Sequence, residues 1–291
     1  MTVKPKFYDS FKCIASDCPD TCCAGWEIDV DRDTAEYYDA LGGEVGEYVR
    51  SKLLRGDGVQ LCREGERCRF LREDNLCELI LRVGEDALCD ICREHPRFFL
   101  GSDNITEVGV GLCCPEAARL WLTSECGFVL EDDGAVMSAD ERETLERQMY
   151  VIERLSNGVG TLGGRLSELL GYGAADYDLY PSLRRLYSSL EVLDAHFSER
   201  FSESPTAVSD VRLTRLAVYF VYRYYFELGE ELCLRFCAAS LIMIAAMGGE
   251  LTQAAKDYSK EVEYDPDNLD KLYAFLTRCS ALGTLCREVL L

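Results

Sequence analysis

The sequence predicts a mainly α-helical protein: an irregular, cysteine-rich segment over residues 1–130, then an all-α helical bundle over 131–291. Three observations predict it. Twelve of the sixteen cysteines lie between Cys13 and Cys126. Beyond residue 131, apolar residues recur at three- and four-residue spacing, the period of a helix face. Hardly any of that half alternates with period two, as a half-buried strand would.

Composition sets the bounds. A chain of 291 residues with 48% hydrophobic side chains can bury a substantial core. Its net charge of −21 argues against nucleic acid, which needs a basic surface, and against anionic membrane. Met1 to Asp9 carries lysines with no apolar run behind them, so no secretory signal is expected. The longest apolar run, Phe236 to Met247, falls short of the ~20 residues needed to span a bilayer. A cytoplasmic protein is expected, and in that reducing compartment disulfides are a poor use for sixteen cysteines. With only His95 and His196 present, thiolate must dominate any metal site.

The first block is Phe11 to Trp26. It holds Cys13, Cys18, Cys22 and Cys23 among short, turn-forming residues, a pattern that aims several sulfurs at one point. Helical spacing follows from Tyr37 to Val49, with Asp31 and Asp33 as cap candidates and Gly42-Gly43 as a break. The second block brings Cys62, Cys68 and Cys77, a helical turn over Glu78 to Val83, and then Cys89-x-x-Cys92. Two intervening residues let both of those sulfurs reach one metal. Arg93 and Arg97 stand beside them as a fork for a cofactor carboxylate or as a positive field for thiolates. His95, before a proline, reads as structural. Ile105 to Leu112 reads as extended. Cys114 precedes a helix starting at Pro115, where the N-terminal N–H groups favour thiolate. Cys126 reads as a packing cysteine.

Later elements are helical: Asp140 to Leu155, Leu166 to Gly171, Ser182 to Phe201, Val211 to Phe226, Glu230 to Met247, Leu251 to Glu263 and Asn268 to Leu290. Gly158-Val-Gly160-Thr-Leu-Gly163 matches a dinucleotide-loop pattern, but a helix rather than a strand precedes it, so it reads as a linker. Cys233, Cys237, Cys279 and Cys286 read as core residues.

Taken together, these blocks resemble the flagellin lysine-N-methylases. The resemblance is carried by Phe11, Cys13, Ile14, Cys18, Asp20 to Cys23, Gly25 and Trp26. It continues through Cys68 with Phe70-Leu71, Leu76-Cys77, Leu88-Cys89 with Cys92-Arg93, Pro96-Arg97, and Cys114 to Leu120. Weaker matches are Tyr219 to Tyr224, and Tyr258 to Glu263 with Asn268-Leu269. The resemblance implies a [4Fe–4S] cluster, S-adenosylmethionine as methyl donor, and flagellin lysines as acceptors. The implied metal ligands come from Cys13, Cys18, Cys22, Cys23, Cys68, Cys77, Cys89, Cys92 and Cys114. Trp26, Arg93 and Arg97 are the implied cofactor contacts, and Glu261 and Glu263 the candidate bases. The first half also resembles zinc- or iron-chelating cysteine-rich domains. The alternative expectation is therefore a non-catalytic zinc or iron protein whose helical half is an interaction platform.

Overall fold

The computed structural model describes every residue except 172, 174, 175 and 206. The chain divides into two compact units. The main body is Met1–Phe11 with Phe98–Leu291, and the insert is Lys12–Arg97. These bounds differ from the 1–130 and 131–291 division expected from cysteine density, because the first strand of the chain pairs with strands beyond residue 105.

In chain order, β1 (Thr2–Pro5) comes first, and β2 (Asp29–Val30) leads into α1 (Arg32–Ala40). Asp31 caps α1 by accepting the Thr34 N–H at 2.8 Å. α2 (Gly43–Arg50) follows the expected break. β3 (Leu53–Arg55) and β4 (Val59–Leu61) form a hairpin that also pairs with β2. β5 (Arg63–Glu64) and β6 (Arg67–Cys68) form a second, smaller pair. α3 (Glu78–Val83) and α4 (Asp90–Glu94) complete the insert's helices. Its small core gathers Ile28, Val30, Tyr38, Val49, Phe70 and Leu79 around the buried thiols Cys68 and Cys89.

Next come β7 (Arg97–Gly101), β8 (Thr106–Val110), α5 (Pro115–Thr123) and β9 (Phe128–Glu131). The remainder is α6 (Ala139–Asn157), α7 (Leu162–Leu170), α8 (Leu179–Tyr187), α9 (Arg212–Met247) and α10 (Leu251–Tyr258). A π-helical turn (Ser259–Glu263), α11 (Pro266–Leu276) and α12 (Leu282–Val289) end the chain. The protein is thus mainly α, with a four-stranded sheet ordered β7-β8-β1-β9 that the sequence did not announce. β1 runs parallel to β8 and antiparallel to β9.

α9 is the spine of the main body. Its first half carries Tyr219, Tyr222 and Tyr224, and it breaks at Gly229, where φ is +68°, a conformation that suits glycine. Tyr222 ties helix to sheet by donating to the carbonyls of Val3 at 2.7 Å and Val108 at 2.9 Å. Trp121 of α5 donates to the Val110 carbonyl at 2.8 Å and packs edge-on to Tyr219. A Cβ on Gly109 would stand 2.2 Å from the Phe98 ring, so β8 needs glycine there to let that ring lie across it. Glu107 is fully buried on β8, and neither of its oxygens has a hydrogen-bond partner; the Gln148 Oε1 is in the same position. Burial pushes the Glu107 pKa up to about 8.

Several expectations change. The helix expected over Ser182 to Phe201 stops at Tyr187 and resumes only as a 3-10 turn at Phe197–Arg200. Side chains satisfy the backbone between them: Asn268 accepts the Glu191 N–H and donates to its carbonyl, while Glu261 accepts the N–H groups of Leu193 and Asp194. Asn268 to Leu290 is two helices, and Arg235 binds the Leu276 and Thr277 carbonyls at the break. Cys126 is exposed rather than packed, whereas Cys233, Cys237 and Cys286 are core residues as expected. The glycine-rich stretch from Gly158 joins α6 to α7, a linker between helices. Among the described residues, no helix is long and apolar enough to cross a membrane.

Candidate metal centre

The insert draws together six of the nine expected thiols: Cys22, Cys23, Cys68, Cys77, Cys89 and Cys92. Backbone pairing does the drawing. The Cys68 N–H donates to the Cys23 carbonyl at 2.9 Å, Gly25 N–H to the Glu66 carbonyl, and Ala24 bridges Arg67. Leu71 bridges Cys77, and the Glu78 N–H donates to the Phe70 carbonyl at 2.7 Å. Asp31 adds a third tie by accepting the Asp90 N–H at 2.9 Å, which seats α4 and its two cysteines. α3 is held from outside, where Glu78 meets Lys52, Arg82 and Tyr48.

Each sulfur has a distinct electrostatic setting. Hydrogen bonding from Cys22 lowers the Cys23 pKa to about 7 against its burial, with Thr21 and the positive Arg67 assisting. Burial raises Cys68 to about 11, opposed by the backbone N–H groups of Phe70 and Leu71. Burial likewise raises Cys77, opposed by the N–H groups of Ile80 and Leu79. Cys89 is lowered by a hydrogen bond from Cys92, and Cys92 is raised by that same bond and by burial. The thiols repel one another as anions: Cys23 and Cys68 both push Cys92 up, and Cys23 pushes up Cys68 and Cys77. Backbone donors aimed at buried sulfurs that resist ionising together are suited to a cation in their midst, which would reverse the sign of each penalty. The donor set is all sulfur, the chemistry of iron–sulfur clusters and soft metals. Among the described residues, no group of three or more His, Cys, Asp or Glu side chains stands ready to hold a single metal ion.

The remaining expected residues lie elsewhere. Cys13 is exposed and accepts the Ala15 N–H, and Cys18 donates to the Asp20 carbonyl. Cys114 belongs to the main body, at the cap of α5. Trp26 donates to the Cys22 carbonyl at 2.7 Å and leans on the His95 ring, so it braces the cysteine turn. Arg93 pairs with Asp90 and with Glu94, and Arg97 donates to the Arg93 carbonyl. Arg67 and Tyr38, which the sequence did not single out, both face the thiols; Tyr38 donates to the Ala87 carbonyl at 2.6 Å.

Glu261 and Glu263 lie on the π-helical turn in the main body. Glu261 accepts the Leu193 and Asp194 N–H groups, and burial raises its pKa. Glu263 accepts Tyr219 Oη at 2.9 and 3.1 Å and Tyr224 Oη at 2.8 Å, with Arg223 Nε 3.8 Å away.

Comparison with known proteins gives three relatives. The chain is 29% identical over 152 residues to a flagellar biosynthetic protein FliU of Salmonella muenchen, covering 50% of this chain and 85% of that one. It is also 29% identical over 137 residues to lysine-N-methylases of Salmonella typhimurium and Salmonella choleraesuis. That match covers 44% of this chain and spans only about a third, 34%, of each methylase. No family model and no solved structure matches the chain. Over the shared stretch, the chain is similar to the lysine-N-methylases.

Proposed function

We propose that the protein is an S-adenosylmethionine-dependent lysine N-methyltransferase acting on flagellin, with a [4Fe–4S] cluster in the insert. The observation that carries the metal half is the gathering of Cys23, Cys68, Cys77, Cys89 and Cys92 at the insert's small core, with backbone N–H groups turned to the sulfurs of Cys68, Cys77 and Cys89. These residues would hold the cluster, with Cys22 at its exposed rim. A polynuclear cluster interposes sulfide and iron between its thiolates and so accepts sulfurs spaced more widely than one zinc ion would. When bound, the cluster supplies an iron able to act as an electron carrier or a Lewis acid.

The kinship with lysine-N-methylases supports the reaction, and the flagellar name of a third relative supports flagellin as partner. The acceptor amine must lose a proton before polar methyl transfer. Both expected carboxylates are already engaged, Glu261 by the Leu193 and Asp194 N–H groups and Glu263 by two tyrosines and an arginine, so neither stands open to take that proton.

The test is anaerobic purification with iron and sulfide assays, then incubation with S-adenosylmethionine and flagellin from the same cell. Stoichiometric iron and sulfide with methyl increments on flagellin lysines is the expected result. A colourless zinc protein would remove the cluster; an intact cluster without increments would remove the flagellin reaction.

A further inference from the structure

The main body contains a polar constellation drawn largely from the two weaker matched stretches, Tyr219 to Tyr224 and Tyr258 to Glu263. Arg223, midway along the first half of α9, lies within cation–π distance of four rings from three segments. Its Cζ is 4.9 Å from the Phe98 centroid, 5.3 Å from Tyr264, 5.4 Å from Tyr224 and 5.9 Å from Tyr219. Two of the three guanidinium nitrogens are engaged: Nη1 donates to Tyr219 Oη at 2.6 Å, and Nε faces the Glu263 carboxylate. That carboxylate is fully buried and held by two tyrosine hydroxyls, so it orients Arg223 and is closed to a ligand. A π-helical turn, uncommon in regular helices and frequent at functional sites, sets Glu263 in place.

The rest of the guanidinium has no protein acceptor among the described residues, and the side chain keeps 11% of its surface exposed. A planar cation fixed by four rings, with Nη2 and the second N–H of Nη1 left without a protein acceptor among the described residues, is a fork that matches a carboxylate. Tyr264, half-exposed and hydrogen-bonded to Cys113, forms the outer wall. The charge balance selects among anions. Arg223 is already offset by Glu263, and the chain carries −21, so a monoanion is tolerated where a phosphate dianion is repelled. Arg93, the sequence-expected fork, is engaged by Asp90 and Glu94.

We propose that Arg223 is a carboxylate-binding residue and, resting on the methyl-transfer reading above, that its ligand is the amino-acid carboxylate of S-adenosylmethionine. The role of Glu263, Tyr219 and Phe98 is to position the guanidinium.

Calorimetry on the metal-loaded full chain compares S-adenosylmethionine with its decarboxylated analogue. Wild type should prefer the carboxylated ligand by about tenfold to a hundredfold, the effect of one charge-assisted bidentate pair. Arg223→Met should bind the two alike, and Arg223→Lys, which keeps charge but not the fork, should fall between. A folded Arg223→Met that retains the preference overturns the proposal. Should that variant fail to fold, a wild-type preference unchanged in Arg223→Lys overturns it. If neither adenosyl compound binds wild type, the methyl-donor reading falls, and L-methionine against methioninol becomes the probe pair. An Arg223-dependent preference for methionine then sustains the fork alone, and no preference overturns it too.

Discussion

The N–H of Cys68 donates to the carbonyl of Cys23 at 2.9 Å. One hydrogen bond therefore sets the separation of a thiol lowered to about 7 from one raised to about 11. The first block of cysteines is not a self-contained site. It is one wall, and Cys68, Cys77, Cys89 and Cys92 supply the others.

Metal retention should follow that geometry. Cys68→Ser, Cys77→Ser and Cys89→Ser should each lose most of the iron of the anaerobically purified protein. Cys13→Ser, whose sulfur is exposed and turned to the Ala15 amide, should keep it. Iron and sulfide per chain, with the visible absorption, measure this. Iron lost from Cys13→Ser and kept by the other three would return the site to the opening block.

In metal-free protein, alkylation of Cys23 should show a pH midpoint near 7. Cys22→Ala removes the main hydrogen bond and should move the midpoint toward the roughly 8.5 of an ordinary thiol. Arg67→Met should move it the same way by less. Peptide-resolved mass spectrometry after brief iodoacetamide treatment reads the midpoint, and an unmoved value in Cys22→Ala refutes the assignment.

Glu107 makes stability depend on pH. Its folded pKa, about 8, lies above the ordinary 4.5, so the folded state binds the proton more tightly than the unfolded. The contribution is fully present below about 4.5 and is lost as pH rises through 8. Gln148 lies beside the carboxyl, and its Oε1 is an acceptor without a partner that suits a protonated neighbour. Glu107→Gln should therefore raise stability at pH 8.5 by ~1–3 kcal/mol and flatten this part of the pH profile. Urea unfolding at pH 6 and pH 8.5 tests it; parallel profiles for variant and wild type would refute it.

Two glycines mark close approaches. Gly163→Ala would place a Cβ 2.1 Å from the Cys286 carbonyl oxygen, and Gly109→Ala one 2.2 Å from the Phe98 ring. Each should destabilise by ~1–3 kcal/mol through overpacking. Only Gly109→Ala should also disturb Arg223, because Phe98 is one of its four rings. Tyrosine and phenylalanine ring resonances separate the two effects.

Local signals were legible. Gly42-Gly43 broke a helix, Pro115 began one, and Gly84 ended the turn over Glu78 to Val83. The thiol cluster was legible as a set, since Cys89-x-x-Cys92 and its neighbours advertise themselves. What the sequence hid depended on distant partners. β1 is four residues ending in proline, too short to read by period, and its partners begin at Thr106 and Phe128. The expected helix over Ser182 to Phe201 lost to Asn268 and Glu261, which supply its backbone with other partners. Arg223 looked like one more charge on an aromatic helix, because the rings that hold it come from segments far apart in the chain.

β1 lies between β8 and β9. During synthesis from the N-terminus, this strand emerges early and waits for both neighbours. All of Lys12–Arg97 is synthesised before Phe128–Glu131. The insert can thus begin collecting its thiols, and whatever they bind, while the sheet is still open. Slowing translation between Arg97 and Phe128 should then favour a cysteine unit completed before the main body closes around its first strand.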